Sequence, residues 1–158
     1  MKKSQNIRMI FMVLLVIFLA AGHGVAATEW RWHKPLPEGN EIADLWVDPE
    51  SNNVFAVGAY GTILHYDGTT WRLMDSGLKQ GQELFAIWGR SANDVFAVGG
   101  ELLYDSSRDG FLSYAMILHY DGSTWSRMTC PKTEKLYDVW GSPSGDVFAV
   151  GEDRKSVV

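Results

Sequence analysis

The sequence predicts an all-β protein assembled from repeated four-stranded units, and three observations carry that prediction. Asn53-Val54-Phe55-Ala56-Val57-Gly58 returns as Asp94 to Gly99 and again as Asp146 to Gly151. Ile63-Leu64-His65-Tyr66-Asp67-Gly68-Thr69-Thr70-Trp71 returns as Ile117 to Trp125. Around these copies, short runs rich in Val, Ile, Phe, Tyr, Trp and Thr are separated by Gly, Asp, Asn, Ser and Pro, which is the punctuation of strands and turns rather than helices. A strand-rich unit recurring at intervals of about 40 residues marks a repeat array.

The first segment stands apart from the repeats. Lys2, Lys3 and Arg8 form a positive region, Met9 to Ala21 is an unbroken apolar run of 13 residues, and Val25-Ala26-Ala27 supplies the small residues of a cleavage site. Residues 1–27 therefore read as a signal peptide cleaved after Ala27. An uncleaved anchor is the rival, but the run falls short of the roughly 20 apolar residues a bilayer core requires. The expectation is an exported protein, periplasmic or extracellular, whose mature part does not span a membrane.

Each following segment has a place in the repeat. Glu29 to His33, containing Trp30-Arg31-Trp32, resembles the outermost strand (slot D) of a unit. The first complete unit, residues 42–75, offers Ile42 to Val47 (A), Val54 to Gly58 (B), Thr62 to Tyr66 (C) and Thr70 to Met74 (D). The second, residues 84–129, offers Leu84 to Trp88, Val95 to Gly99, Ala115 to Tyr120 and Thr124 to Met128. The third, residues 136–158, has only Leu136 to Trp140 and Val147 to Gly151 before Glu152-Asp153-Arg154-Lys155-Ser156 leaves the pattern.

Val-Phe-Ala-Val in slot B is apolar on both faces, which suits a strand packed between two neighbouring sheets. Asp67-Gly68 and Asp121-Gly122 mark the C-to-D turns, because Asp bonds its own backbone and Gly tolerates positive φ. Trp71 and Trp125 then open slot D. Four-stranded sheets in series are the blades of a propeller. The inventory D-ABCD-ABCD-AB amounts to about 2.5 to 3 blades, against the four to eight that close a ring. An incomplete propeller is thus expected, either as part of a longer array with further C-terminal blades or as a chain that completes its ring by oligomerisation.

Composition narrows the partners. The chain carries 14 basic and 19 acidic residues, and losing residues 1–27 removes three basic and no acidic ones, taking the formal charge from −5 to −8. Nucleic acid and anionic membrane surfaces demand a basic footprint that such a chain lacks. Cys130 is the sole cysteine, so no internal disulfide is available. With no His or basic residue beside it in sequence, Cys130 reads as a small packing residue rather than a nucleophile.

The pattern Val139-Trp140-Gly141-Ser142-Pro143-Ser144-Gly145-Asp146-Val147-Phe148-Ala149-Val150-Gly151, with Ile117-Leu118-His119-Tyr120-Asp121-Gly122-Ser123-Thr124-Trp125, resembles bacterial exported β-propeller proteins of the BNR or Asp-box-like kind, near the sialidase-like and kelch-like propellers. The likeness covers nearly all of residues 28–151. It implies a propeller fold and leaves activity open, since such repeats occur in glycosidases, assembly factors and proteins without known activity. The match to the strict Asp-box is incomplete, for Asp67 and Gly68 are adjacent, as are Asp121 and Gly122. In that family the box stabilises a hairpin away from the active site.

A residue that recurs once per unit belongs to the scaffold before it belongs to a site, since a catalytic centre is needed once and a hairpin every time. This assigns His65 and His119, with Asp67 and Asp121 two residues on, to packing and turns rather than acid–base pairs. Arg31, Arg72 and Arg127 on outer strands are badly placed to converge as a sialidase-like arginine cluster. Function is sought where the repeats differ: Ala59-Tyr60-Gly61 joins B to C in the first unit, whereas an insertion, residues 100–114, does so in the second. It is expected to share a face with Ser76 to Gln82 and Thr129 to Lys135, and loops of this kind carry binding residues. Tyr104, Asp105, Arg108 and Asp109 are the candidate ligand-binding residues.

Asp105-Ser106-Ser107-Arg108-Asp109-Gly110 also matches part of a calcium-loop pattern, with Asp105, Ser107 and Asp109 as oxygen donors. Met116 stands where the closing carboxylate belongs, so a solvated hairpin tip outranks a metal site. Leu102-Leu103-Tyr104 and Phe111-Leu112 suggest a β-ribbon extension. The leading expectation is a non-enzymatic scaffold that binds a protein or glycan. The alternatives are part of a sialidase-like glycoside hydrolase, drawing its carboxylates from Glu83, Glu101, Asp105 and Asp109, and a vestigial product without activity of its own.

Overall fold

The structure is a computed structural model and describes residues 39–130, 134–142 and 144–152. The signal-peptide reading of residues 1–27 and the strand expected at residues 29–33 lie outside the described residues. Among them, every regular element is a strand except one short 3-10 turn at Ala59–Gly61.

Within the described residues, ten strands form three antiparallel sheets. The first contains β1 (Ile42–Val47), β2 (Val54–Gly58), β3 (Ile63–Tyr66) and β4 (Trp71–Leu73) in sequence order. The second contains β5 (Gln82–Ser91), β6 (Asp94–Asp105), β7 (Gly110–Tyr120) and β8 (Trp125–Arg127), again in order. The third has two strands, β9 (Leu136–Gly141) and β10 (Val147–Gly151). Sequential antiparallel pairing follows from the short connections, since a tight turn delivers each strand beside its predecessor.

Register is conserved between sheets. Trp46 faces Phe55, Trp88 faces Phe96 and Trp140 faces Phe148 across the first ladder of each sheet. The β3–β4 and β7–β8 hairpins turn identically. Asp67 Oδ1 accepts the Thr69 and Thr70 N–H groups at 2.9 and 2.8 Å, and Asp121 Oδ1 accepts those of Ser123 and Thr124 at the same distances. Gly68 and Gly122 both take φ of 89°, the left-handed conformation that only glycine adopts without cost.

Two apolar clusters glue the sheets together. Phe55, Val57 and Ile63 of the first sheet pack on Leu84, Met116 and Leu118 of the second. Val98 and Ala115 of the second pack on Leu136, Val139 and Ala149 of the third. Two glycines make the approach close: a Cβ on Gly89 would lie 2.7 Å from the Trp46 ring, and one on Gly141 would enter the Trp88 ring. Each Trp therefore lies over the glycine of the next sheet. Polar contacts run the same way, for Asp44 Oδ2 accepts the Ile87 N–H at 2.9 Å and Asp48 Oδ2 accepts the Ala92 N–H at 3.2 Å.

The three runs differ in cover. The Val-Phe-Ala-Val runs of β2 and β6 are covered on both faces, with Val57 and Val98 0% exposed, but Val150 of β10 is 46% exposed. The third run has the second sheet on one side and no described element on the other.

Candidate functional site

The insertion between slots B and C is not a loop laid on the sheet but a continuation of it. β6 and β7 keep pairing past Gly100 and Ala115, through Glu101 and Tyr114 to Asp105 and Gly110, making a two-stranded ribbon. Its apolar and aromatic residues favour pairing, and its tip has the chemistry of a turn. Asp105 Oδ1 accepts from Ser107 N–H at 2.9 Å and Ser107 Oγ–H at 2.6 Å, the Arg108 N–H reaches the Asp105 carbonyl at 3.2 Å, and Arg108 Nε lies 3.5 Å from Asp105 Oδ2. Asp109 has φ of 48°, which lets the chain reverse into Gly110.

Electrostatics at the tip follow from those bonds. The Ser107 hydroxyl, and then its N–H, hold the Asp105 carboxyl below its ordinary range. Tyr104 donates its hydroxyl to Asp109 Oδ1 at 2.6 Å, which raises the tyrosine above its ordinary value. Asp105, Ser107 and Asp109 are thus near neighbours in space, but their oxygens serve the turn and Tyr104 rather than converging on one point. Among the described residues, no group of three or more His, Cys, Asp and Glu side chains is arranged to hold a metal ion.

Aromatic surface is what the tip presents. Tyr104 and Phe111 are paired across the ribbon, with ring centroids 5.4 Å apart in an edge-on arrangement. They are 58% and 70% exposed, and Leu102 and Leu103 beside them are exposed as well.

The ribbon's base is anchored from both neighbouring connections. Gln82 Nε2 donates to Glu101 Oε2 at 2.7 Å while its side-chain oxygen Oε1 accepts the Lys79 N–H at 2.9 Å. On the other side the Lys135 N–H donates to Ser113 Oγ at 3.2 Å, its side chain lies against Gly100, and its ammonium sits 5.4 Å from the Phe85 ring centroid. Glu152 accepts from Tyr137 at 2.6 Å, which raises that phenol, and from Ser113 at 3.4 Å. The residues Lys79, Gln82 and Lys135 thus share one face with the insertion. The connection ending at Lys135 was expected on this face, whereas Tyr137 and Glu152 were not named, since their contacts span 15 and 39 positions.

Beside this base lies a cavity of about 330 Å³ between Leu78, Gln82, Glu101, Trp125 and Arg127. The Trp125 indole N–H is buried and has no hydrogen-bond partner among the described residues. Trp71 and Trp125 otherwise fill matching positions, their rings 5.3 and 5.2 Å from Tyr66 and Tyr120.

The repeated histidines take partners the sequence reading did not name. His65 Nε2 lies 2.6 Å from Asn53 Oδ1 and stacks on Phe55 at 4.3 Å. His119 Nε2 lies 2.8 Å from Asp94 Oδ1 and stacks on Phe96 at 4.6 Å. Burial lowers His65 below its ordinary value, against the opposing field of Asp67. Asp94 also pairs with Arg90, whose other amino group donates to the Gly145 carbonyl at 2.8 Å, so this cluster ties the second sheet to the third. Asp67 pairs with Arg72 and is held down to about 2, the Thr70 and Thr69 N–H groups being the main cause.

No family model, curated protein or solved structure matches this chain.

Proposed function

We propose that the chain is an exported, non-enzymatic interaction module of the β-propeller type, which contacts a protein or glycan partner through the tip of the β6–β7 ribbon. The observation that carries this reading is the exposed Tyr104–Phe111 pair on a ribbon whose base is held by Gln82, Lys135 and Glu152. Aromatic side chains offer large contact area at low conformational cost, and a stiff support keeps that cost low on binding. Propeller-type organisation is supported by the succession of four-stranded antiparallel sheets, and export by the charged, apolar and small-residue order of residues 1–27.

In the hydrolase alternative, Glu101 and Asp105 make an unsuitable pair. Glu101 and Asp105 lie on one strand four residues apart, which at about 3.3 Å per residue separates them by about 13 Å. Carboxylate pairs in glycosidases stand about 5 to 9.5 Å apart. Asp105 is moreover engaged by Ser107 and Arg108.

A photo-crosslinking amino acid at position 111, expressed in the producing cell with the N-terminus intact, tests the proposal. The expected result is a mature chain starting at Thr28 and a discrete adduct that Tyr104→Ala and Arg108→Ala abolish without loss of fold. Turnover of fluorogenic glycosides that disappears in Glu101→Gln would overturn it in favour of the hydrolase.

A further inference from the structure

The two joints between sheets follow one plan with different side chains. By the register of each first ladder, Asp44, Ala86 and Asp138 share one slot, and the residue after Val47, Gly89 and Gly141 is Asp48, Arg90 and Ser142. At the first joint both slots hold a carboxylate that accepts from the backbone of the next sheet. Asp44 Oδ2 takes the Ile87 N–H, and Asp48 Oδ2 takes the Ala92 N–H in the turn between β5 and β6. At the second joint Ala86 carries no polar group, and Arg90 reaches the corresponding turn, between β9 and β10, as a donor to the Gly145 carbonyl.

The repeated histidines differ in the same sense. His65 stacks on Phe55, whose ring packs on Tyr120 and Trp125 of the second sheet, and its partner is the uncharged Asn53. His119 stacks on Phe96, and its partner is the carboxylate of Asp94, which Arg90 also holds. A carboxylate favours a protonated imidazole, and an amide brings no charge to meet one.

Acid therefore acts on the joints unequally. Protonating Asp44 or Asp48 removes the charge from a bond that a backbone N–H makes across the joint. Asp48 is buried, and the Ser51 hydroxyl at 2.7 Å, with the Glu50 and Ala92 N–H groups, holds its carboxyl below the ordinary range against the cost of burial. A depressed carboxylate adds stability above its ordinary range and loses it as pH falls through the folded value. A histidine depressed by burial, as His65 is, adds stability above its ordinary value and loses it below. Both losses fall on the first joint.

The surrounding charges leave this contrast in place. Glu41 and Glu50 flank Asp44 and Asp48 in the chain, and Glu83, Arg90 and Asp94 lie on the facing strands and turn. Near His65, Arg72 adds to the lowering, Asp67 opposes it, and Asp75 lines the same cavity between the sheets. The hairpin carboxylates Asp67 and Asp121 are matched between the first and second sheets. At the second joint Glu152 accepts from Ser113, but at 3.4 Å and from an exposed position, and the Arg90 bond to the Gly145 carbonyl does not titrate.

We propose that the first joint is an acid-sensitive hinge: protonation of His65, Asp44 and Asp48 loosens the first sheet from the second, while the second and third stay locked together. The hinge does not depend on what the ribbon tip contacts, so either reading can fail while the other stands.

Trp46 lies over Gly89 at the first joint and Trp88 over Gly141 at the second, so each ring reports one joint. The purified protein is labelled with fluorotryptophan, and the two resonances are assigned with Trp46→Phe and Trp88→Phe. Fluorine NMR then follows them from about pH 7 to about pH 3.5, a range that spans ordinary imidazole and carboxylate titrations. The Trp46 resonance is expected to move at least about half way towards its urea-unfolded position, while that of Trp88 moves by under about a tenth, as local opening requires. In the double variant Asp44→Asn, Asp48→Asn, which keeps acceptor oxygens of the same shape, the part of this movement in the carboxylate range should disappear. Asn53→Asp, which gives His65 the kind of partner His119 has, should remove the part in the imidazole range. Circular dichroism at neutral pH checks that the variants are folded. Joint movement of both resonances, a Trp46 resonance that stays in place, or variants that respond as the parent does would overturn the proposal.

Discussion

Replacing the last valine of each Val-Phe-Ala-Val run by alanine makes one chemical change in three environments. Val57 and Val98 are 0% exposed between sheets, whereas Val150 is 46% exposed. Deleting two methyl carbons from a buried site costs about 1.6 kcal/mol in transfer at about 0.8 kcal/mol per carbon. The cavity left between packed sheets raises this to about 2 to 3 kcal/mol. At Val150 about half the transfer term applies and the space opens to solvent, leaving under about 1 kcal/mol. Urea unfolding followed by tryptophan fluorescence and far-ultraviolet circular dichroism measures all three, with an unchanged slope showing that stability alone has moved. Equal losses for Val57→Ala and Val150→Ala would refute the reasoning, because the third sheet would then be covered on both faces.

Other substitutions separate scaffold from surface. Asp67 has its folded value depressed to about 2 from 3.8, so its ionised form adds stability above about pH 4 that fades as pH falls towards 2. Asp67→Asn should therefore melt lower than the parent at pH 6 and converge with it near pH 2; an unchanging gap across thermal melts would contradict this. Trp125→Phe should cost about 1 to 2 kcal/mol in chemical denaturation, because the smaller ring gives up contact with Tyr120 and Phe55 whereas the indole N–H has no partner to lose among the described residues. Calcium titrated to millimolar levels should leave the thermal midpoint where it was, because Ser107 and Arg108 engage the two Asp105 oxygens and Tyr104 engages Asp109 Oδ1. A rise of several degrees would restore the metal reading.

Strand positions were legible because each repeated run carries its own signals: alternation or continuity of apolar residues, then Asp-Gly at the turn. The Asp67 and Asp121 turns are local, spanning three residues, and local chemistry can be read from local sequence. The partners of His65 and His119 lie 12 and 25 positions away and depend on register across a ladder. The same holds for the ribbon. Leu102, Leu103, Tyr104 and Phe111 announce strand character, but that β6 and β7 continue their ladder to Asp105 and Gly110 depends on pairing that no single strand encodes. At its base the repeat phase placed the stretches ending at Gln82 and Lys135 on the ribbon's face, but the particular bonds of Gln82, Lys135 and Glu152 have no pattern in sequence.

The Trp-over-Gly contact gives the stack a direction. Trp46 rests over Gly89 and Trp88 over Gly141, and an exposed Trp140, 56% accessible, repeats the projecting half of the joint. Among the described residues the receiving half is not repeated in the first sheet: the slot filled by Gly89 and Gly141 in β5 and β9 holds Val47 in β1, by the register of each first ladder. Interlocking parts that match head to tail without closing tend to grow into fibres. A tryptophan arriving from another copy would meet the two branches of Val47 where glycine leaves room. Val47 thus departs from Gly89 and Gly141 in that slot by the room its branched side chain takes from such a ring.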